Sequence, residues 1–136
     1  RLCPQLTVLP YDFAAIQEVS EQIYRIFVRY THKLEPVSCD EAFLDVSRYA
    51  KPAAVAHALR TDIFHATGCE ASAGVGPNML LARLATRRAK PNAHYVVAPA
   101  EVAGLMGPLP VRELPGVGRK LSARLEERGV TTCADV

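Results

Sequence analysis

The chain has 136 residues, of which 49% are hydrophobic and 22% charged, so the length predicts one packed domain, or one domain plus part of another. No apolar run approaches the roughly 20 residues that a membrane-spanning helix needs, and no signal-peptide pattern is present, so we expect no membrane partner. Because the sequence opens at Arg1 rather than at a methionine, we expect it to be a fragment of a longer protein.

The net charge of +2 hides an uneven distribution along the chain. Residues 1–82 hold seven Lys/Arg against nine Asp/Glu, whereas residues 83–136 hold nine against five. This asymmetry favours a polyanion bound to the second half and a cation bound to the first. A solvated basic helix face would explain the basic half equally well. The four cysteines are scattered, which favours reduced thiols in a cytosolic or nuclear protein over a zinc site or a disulfide framework.

The first elements predicted along the chain are a helix and a hairpin. Asp12 can cap a helix that runs to about Thr31, because apolar residues recur there at steps of three and four. Residues 34–38 and 43–46 are typical of two short strands, and residues 39–42 would form the tip of the hairpin between them.

Two further helices and two strands follow the hairpin. Pro52 opens a helix to about Ala66, which Gly68 ends, and residues 70–75 are typical of a buried strand. Asn78 caps a third helix through residue 89, with Leu80, Leu81, Leu84 and Ala85 on its inner face. Residues 94–98 would form the last strand.

The order helix–strand–strand–helix–strand–helix–strand predicts an α+β sandwich with helices on one face of the sheet. The ferredoxin-like pattern starts with a strand, and that first strand would lie upstream of Arg1. From Pro99 onward the pattern changes to short helices, the last of them from about Arg119 to Arg128. We therefore expect a first domain over residues 1–98 and a small helical second domain over residues 99–136.

The adjacent acids Asp40 and Glu41 are the first candidate site. On a flat strand they would point to opposite faces, but at a hairpin tip both carboxylates can approach one cation. Mg²⁺ takes carboxylate oxygens and commonly keeps substrate phosphates as further ligands, although a two-metal site normally needs a third carboxylate. Asp45 lies further along a strand and is expected to point away from the tip. A polar turn with solvated acids is the alternative.

A second candidate is the turn at residues 74–78, which contains Gly76, Pro77 and Asn78. It lacks the third glycine of a dinucleotide-binding loop, so a nucleotide cofactor is not predicted there. Its exposed amides lie beside a basic helix that carries Arg83 and Arg87, a geometry suited to phosphate contacts. A plain strand-to-helix turn fits the same residues.

The third candidate is residues 114–118, LPGVG, which we call the glycine hairpin. Gly116 and Gly118 would let backbone amides approach an anion, and the following helix adds Arg119 and its positive N-terminal end. This is the helix-hairpin-helix pattern of sequence-independent DNA backbone contact. A glycine-rich turn between two helices is the alternative.

Together these segments resemble the Y-family translesion DNA polymerases. Residues 38–45 (SCDEAFLD) resemble the family's catalytic signature, and residues 74–83 (GVGPNMLLAR) and 89–92 (AKPN) resemble its next motif. The glycine hairpin resembles the family's thumb. Residues 11–13, 37–42, 81–87 and 132–136 look most like the eukaryotic deoxycytidyl transferase branch.

The resemblance implies a ferredoxin-like palm without its first strand, followed by the start of a helix-hairpin-helix thumb. It implies that Asp40 binds two Mg²⁺ ions and that Glu41 holds the ion that activates the primer 3′-hydroxyl. Lys90 would contact the incoming triphosphate. Ser38 and the turn at residues 76–78 would lie near the primer, while Gly116, Gly118 and Arg119 would hold a DNA strand by its phosphates.

The function expected from this resemblance is Mg²⁺-dependent transfer of dCMP from dCTP to a primer end, opposite template G or a damaged site, during DNA repair in the nucleus. Primer-template DNA and a deoxynucleotide, with dCTP favoured, would be the partners, and other translesion components would bind through regions outside this chain. The family's third metal-binding Asp has no counterpart here, so we expect these 136 residues alone to be inactive. The alternatives are a bypass polymerase without dCTP preference and a non-catalytic DNA-binding module.

Overall fold

The computed structural model of the protein describes residues 3–136. Residues 3–12 form no helix or strand, and regular structure begins at Phe13. The helices and strands, in chain order, are α1 (Phe13–Tyr30), β1 (Leu34–Pro36), β2 (Ala42–Leu44), α2 (Pro52–Thr67), β3 (Ala73–Val75), α3 (Met79–Ala89), β4 (His94–Val96), α4 (Val102–Met106) and α5 (Arg119–Glu126). Short 3₁₀ turns lie at Pro99–Glu101, Val111–Glu113 and Cys133–Asp135.

Helix α1 forms where the spacing of apolar residues predicts it. The side chain of Asp12 accepts a hydrogen bond of 3.0 Å from the backbone N–H of Ala15, which satisfies one free donor at the helix start. Ile23, Ile26 and Phe27 are buried on one face. This face packs on α2 and on the β1–β2 hairpin, so α1 is anchored by its apolar stripe.

Strands β1 and β2 pair antiparallel, with Leu34 opposite Leu44 and Pro36 opposite Ala42. Both strands are shorter than the predicted 34–38 and 43–46. The ladder ends early because the N–H groups of Val37 and Ser38 both donate to the carbonyl of Glu41, at 2.8 and 3.1 Å, which closes the turn.

Strands β3 and β4 pair parallel, with α3 as the crossover between them. The predicted strand at residues 70–75 is restricted to Ala73–Val75, and the predicted strand at residues 94–98 to His94–Val96. The caps are as predicted: Gly68 ends α2 with a φ of 71°, and the side chain of Asn78 accepts from Leu81 N–H at 2.9 Å at the start of α3.

Within residues 3–136 the four strands form two separate two-stranded sheets. Two hydrophobic clusters match this division, one between α1 and α2 and one where α3, the end of β4 and α4 meet. The mixed helix-and-strand architecture is confirmed, but it is built on two small ladders rather than on one continuous sheet.

The second part of the chain, residues 99–136, folds back on itself. Pro110 bridges to Thr132, and Cys133 N–H donates to Leu109 C=O at 2.8 Å. Leu105 of α4 packs on α3, which joins this part to the first part, residues 3–98. Helix α5 ends at Glu126, two residues before the predicted end. Among residues 3–136, no helix has the length and apolar character needed to cross a bilayer.

Candidate active site and phosphate-contact surfaces

The predicted metal ligands lie on the exposed turn between β1 and β2, which we call the acid tip (residues 38–41). The Ser38 hydroxyl donates a hydrogen bond of 2.6 Å to Oδ1 of Asp40, and the Cys39 thiol lies 3.9 Å from the same oxygen. Because both acids are exposed, their charged forms keep contact with water. The acid tip can therefore present two carboxylates to a cation at the surface.

Two hydroxyl groups of helix α1 form hydrogen bonds with the backbone of the acid tip. The Ser20 hydroxyl donates to the carbonyl of Cys39 at 2.6 Å. The Tyr24 hydroxyl lies 2.7 Å from the carbonyl of Ser38 and 3.1 Å from that of Glu41. Burial, followed by the nearby Cys39, Asp40 and Glu41, raises the pKa of Tyr24, which keeps its hydroxyl protonated as a donor.

Sequence reasoning did not identify Ser20 and Tyr24. Their spacing of four residues places them on one face of α1, which the sequence does show. The sequence does not show that this face lies under a turn many residues further along the chain, and a hydroxyl on a helix gives no other signal.

Asp45 lies at the other end of the hairpin, as predicted. Its Oδ1 accepts from Ser47 N–H at 2.9 Å, and its Oδ2 lies 3.7 Å from Lys33 Nζ. The hydrogen bonds from Ser47 have the largest effect on the pKa of Asp45, and the Lys33 ammonium has a smaller one. Together they hold this pKa below its usual range. The Asp45 carboxylate therefore bonds Ser47 and Lys33, away from the acid tip.

The basic face of α3 contacts the acid tip at one residue and Glu113, just before the glycine hairpin, at another. Arg83 Nη2 lies 4.0 Å from Oε1 of Glu41, so the guanidinium partly compensates the acid tip. One turn later, Arg87 donates to the carbonyl of Glu113 at 2.7 Å and lies 3.9 Å from its carboxylate. The predicted outward stripe therefore has acidic partners within the chain, and both arginines keep nearly half of their side-chain surface exposed. Such exposed contacts can be exchanged for phosphate at small cost.

An open cavity of about 390 Å³ lies between β2, α3 and the glycine hairpin. Apolar side chains from both parts of the chain and one guanidinium line it: Phe43, Met79, Leu80, Arg83, Leu114 and Pro115. Leu80, predicted on the inner face of α3, faces this space instead. The cavity thus places Arg83 between the two surfaces on which the sequence predicts metal and phosphate binding.

The glycines before α3 serve close packing. A Cβ on Gly74 would overlap the carbonyl oxygen of Ala82 and the amide nitrogen of Thr86, and one on Gly76 would lie 2.8 Å from Ala82 N. Strand β3 can therefore lie against the α3 backbone only because both residues lack a side chain. A DNA contact by Gly76, Pro77 and Asn78 stays a prediction.

In the glycine hairpin, glycine is needed for backbone conformation and not for close packing. Gly116 has a φ of 87°, a conformation that residues with a side chain rarely adopt, while Gly118 has an ordinary φ of −82° and is the N-terminal cap of α5. No atom lies within 4 Å of a Cβ built on either residue. Arg119 follows directly and is exposed, so the hairpin leaves space for an anion beside a positive side chain.

Lys90 lies at the C-terminal end of α3, where its backbone N–H donates to Thr86 C=O at 3.2 Å. Its side chain is exposed, and within residues 3–136 it forms no ion pair. A free ammonium at this position could meet an anionic group, as the sequence predicts.

The donor set of the acid tip suits a hard divalent cation but is small. Carboxylate oxygens are the ligands that Mg²⁺ prefers. Within residues 3–136, no group of three or more His, Cys, Asp or Glu side chains is arranged to hold a metal ion. The two acids therefore fit part of a magnesium site, and further oxygen ligands would have to come from elsewhere.

Two family profiles match this chain. The impB/mucB/samB family profile matches residues 1–87, and the IMS family HHH motif matches residues 99–130. The first match contains the acid tip and the second contains the glycine hairpin.

Among curated proteins, the chain is 44% identical to DNA repair protein REV1 of Arabidopsis thaliana, over 99% of this chain and 12% of that protein. It is also 44% identical to DNA polymerase IV of Salmonella choleraesuis, over 100% of this chain and 40% of that protein. The chain thus spans less than half of either relative. Equal identity to both means that the comparison does not distinguish the deoxycytidyl transferase branch from the bacterial polymerases.

Solved structures of DNA polymerases share the fold of this chain. DinB from Sulfolobus solfataricus matches with a TM-score of 0.87 at 28% identity, over 97% of this chain and 40% of that one. A structure described as the insertion ternary complex of Dbh DNA polymerase matches with a TM-score of 0.87 at 28% identity, over 95% of this chain and 39% of that one. Both parts of the chain are therefore arranged as in these proteins.

Proposed function

The chain belongs to the impB/mucB/samB family of Y-family DNA polymerases, and we propose that it forms part of the polymerisation site of a translesion DNA polymerase. The observation that carries this proposal is the exposed acid tip, with Asp40 and Glu41 side by side and Arg83 4.0 Å from Glu41. Two exposed acids repel the phosphate backbone of DNA, so a module that only binds DNA would gain nothing from them.

In this proposal Asp40 and Glu41 hold Mg²⁺ together with oxygen ligands from outside the chain. Bound Mg²⁺ supplies activation of the primer hydroxyl and neutralises charge on the triphosphate. Ser38 orients the Asp40 carboxylate through its 2.6 Å hydrogen bond. Arg83 balances the negative charge of the acid tip before any cation binds. Because two carboxylates are fewer than such a site needs, we expect the 136-residue chain alone to be inactive.

The basic and glycine-rich residues would hold the substrates. Lys90 contacts the phosphates of the incoming nucleotide, which its free ammonium allows. The residues proposed to lie along the DNA are Ser38, Gly76, Pro77, Asn78, Arg83, Arg87, Gly116, Gly118 and Arg119. Residues 1–98 then form most of the palm, and residues 99–136 begin the thumb.

The finer proposal is a preference for dCTP, as in the deoxycytidyl transferase branch. It is supported by residues 37–42 (VSCDEA), in which Cys39 lies between Ser38 and Asp40, and by the similarity to the plant REV1 protein. A nuclear location and partners among other translesion proteins follow from that branch. A polymerase directed by the template base is the alternative, supported by the equal similarity to DNA polymerase IV.

The test uses the full-length protein that contains this chain, on a primer that ends just before an abasic template site. Each dNTP is offered separately with Mg²⁺. Preferential extension with dCTP supports the transferase branch, and extension without that preference supports the template-directed alternative. Absence of extension on damaged and undamaged templates alike would refute the proposed polymerase function.

Two single substitutions separate catalysis from folding. Asp40→Ala removes a proposed metal ligand and should reduce the rate of extension by about a thousandfold or more, because several kcal/mol of transition-state stabilisation depends on the metal. Asp45→Ala removes an acid at the other end of the same hairpin and should leave most of the activity. Parent-like activity of Asp40→Ala would show that Asp40 has no catalytic role, and an equal loss in both variants would show that the effect is not specific to Asp40.

A further inference from the structure

The acid tip receives hydrogen bonds from α1 at three of its four carbonyl groups. The Ser20 hydroxyl donates to the carbonyl of Cys39, and the one hydroxyl hydrogen of Tyr24 is shared between the carbonyls of Ser38, at 2.7 Å, and Glu41, at 3.1 Å. The fourth residue, Asp40, is held through its carboxylate by Ser38. Each of the four residues of the acid tip therefore accepts a hydrogen bond from a hydroxyl group, either at its backbone carbonyl or, for Asp40, at its carboxylate.

We propose that Ser20 and Tyr24 are positioning residues that hold the Asp40 and Glu41 carboxylates in place for a divalent cation. This inference rests on the proposed function, since it concerns the same two acids. Within the acid tip, the hydroxyls of Ser20 and Tyr24 bond only backbone carbonyls, so they would act through Asp40 and Glu41 and not on a substrate.

The turn has little else to fix it. The β1–β2 ladder ends at the pair Pro36 and Ala42, and beyond it the N–H groups of Val37 and Ser38 share the single carbonyl of Glu41. Residues 37–41 are exposed and take no part in either hydrophobic cluster. Without the hydroxyls of α1, the backbone of the turn would keep only two hydrogen bonds to one oxygen. The side chains would keep the bond from Ser38 to Asp40 and the exposed pair between Arg83 and Glu41.

Helix α1 has apolar contacts that do not involve these hydroxyls. Ile23, Ile26 and Phe27 bury the helix against α2 and the hairpin. The carbonyl groups that would lose their donors lie in an exposed turn, where water can replace the hydroxyl. Loss of Ser20 or Tyr24 hydroxyls should therefore affect the position of the acid tip more than the folding of the protein.

The hydrogen bonds act in series on Asp40. Tyr24 fixes the backbone carbonyl of Ser38, and the side chain of Ser38 donates to Oδ1 of Asp40. Outer partners of this kind orient metal ligands, and their removal weakens metal affinity. Glu41 needs no intermediate residue, because the Tyr24 hydroxyl contacts the backbone carbonyl of Glu41 itself.

The experiment compares Tyr24→Phe, Ser20→Ala and Ser20→Thr in the full-length polymerase bound to primer-template DNA. Mn²⁺ binding is measured by electron paramagnetic resonance, and the Mg²⁺ concentration for half-maximal extension is measured in parallel. We expect Tyr24→Phe and Ser20→Ala to weaken Mn²⁺ binding and raise the Mg²⁺ requirement by roughly fivefold to tenfold. Ser20→Thr retains a hydroxyl and should behave like the parent.

Tyr49→Phe is the matched control, because the Tyr49 hydroxyl also donates to a backbone carbonyl, that of Tyr30, at 2.8 Å and away from the acid tip. It should leave Mn²⁺ binding unchanged. If Tyr24→Phe does not fold, Ser20→Ala decides the question. The inference is overturned if every folded α1 variant binds Mn²⁺ like the parent, or if Tyr49→Phe weakens binding equally.

The outcome is separable from that of the proposed function. Retention of activity by Asp40→Ala would refute the proposed role of the acid tip itself. Loss of activity in Asp40→Ala, together with unchanged Mn²⁺ binding in Tyr24→Phe and Ser20→Ala, would refute only the positioning role.

Discussion

The acid tip and the glycine hairpin are both exposed turns to which the sequence assigns chemistry, but they are stabilised in different ways. The acid tip receives side-chain hydrogen bonds from a separate helix, through Ser20 and Tyr24. The glycine hairpin is closed by its own backbone, with Val117 N–H donating to Leu114 C=O at 3.0 Å. Among residues 3–136, no side chain donates a hydrogen bond to residues 114–118.

The difference fits what each turn is proposed to bind. A cation held by carboxylates needs ligand atoms within a few tenths of an ångström of their ideal distances, and side chains on a free turn do not keep such positions. Phosphate contact through backbone amides needs only exposed N–H groups and room for the anion. A turn that binds by its backbone can therefore be specified by local conformation.

The glycines before α3 and the glycines of the glycine hairpin show the same contrast. Gly74 and Gly76 in the first part are required by contact with α3, whereas Gly116 in the second part is required by a φ of 87°. Substitutions to alanine at these positions should therefore fail for different reasons.

The largest effect on stability is expected from Gly74→Ala. The added methyl group would overlap the backbone of Ala82 and Thr86, which belongs to a helix and cannot move alone. Overpacking of this kind costs about 3 kcal/mol of the free energy of unfolding, and more where only backbone atoms could give way. Chemical denaturation of the variant and the parent chain measures the loss. A loss below about 1 kcal/mol would show that β3 is not held so closely against α3.

Gly116→Ala should have a smaller effect, because it introduces conformational strain without a steric overlap. A side chain at this φ costs about 1 to 2 kcal/mol. Gly118→Ala is the control, since Gly118 has an ordinary φ and open space around it. Thermal unfolding should show the loss only for Gly116→Ala, and DNA affinity at fixed salt should fall with it. Equal destabilisation by both substitutions would contradict the backbone explanation.

The smallest effect is expected at low pH, at the end of the second part. Hydrogen bonds from the N–H groups of Thr132 and Thr131, and then from their hydroxyls, lower the pKa of Asp135 to about 2. Because this pKa lies below the usual value, the carboxylate stabilises the fold above about pH 4, and that contribution is lost as the pH falls through about 2. The thermal midpoint should therefore fall more steeply with acid in the parent than in Asp135→Asn. Parallel curves would contradict this assignment.

Much of the local structure could be predicted from the sequence. Asp12, Gly68 and Asn78 mark the ends of helices as predicted, and the apolar spacing of α1 locates its buried face. The resemblance to Y-family polymerases, based on three motifs, is confirmed by the family profiles over residues 1–87 and 99–130. Each of these features depends on residues within a few positions of one another.

The contacts of the basic helix could not be predicted in the same way. Spacing placed Arg83 and Arg87 on one face of α3, which is correct. The expectation that this face simply points outward was incomplete, since Arg83 lies by Glu41 and Arg87 by Glu113. Those partners are 42 and 26 residues away in the chain, so only the tertiary structure brings each pair together.

The sequence by itself determined the helices, the hairpin that carries Asp40 and Glu41, the glycine hairpin and the family, because periodicity, caps and short motifs act over one or two turns of chain. Only the tertiary structure decided that Ser20 and Tyr24 lie under the acid tip, that the sheet is divided in two, and that Gly74 and Gly76 are required by α3. The physical reason is that each of these depends on which surfaces meet, and a hydroxyl or a glycine has the same sequence signature whether or not another element lies against it.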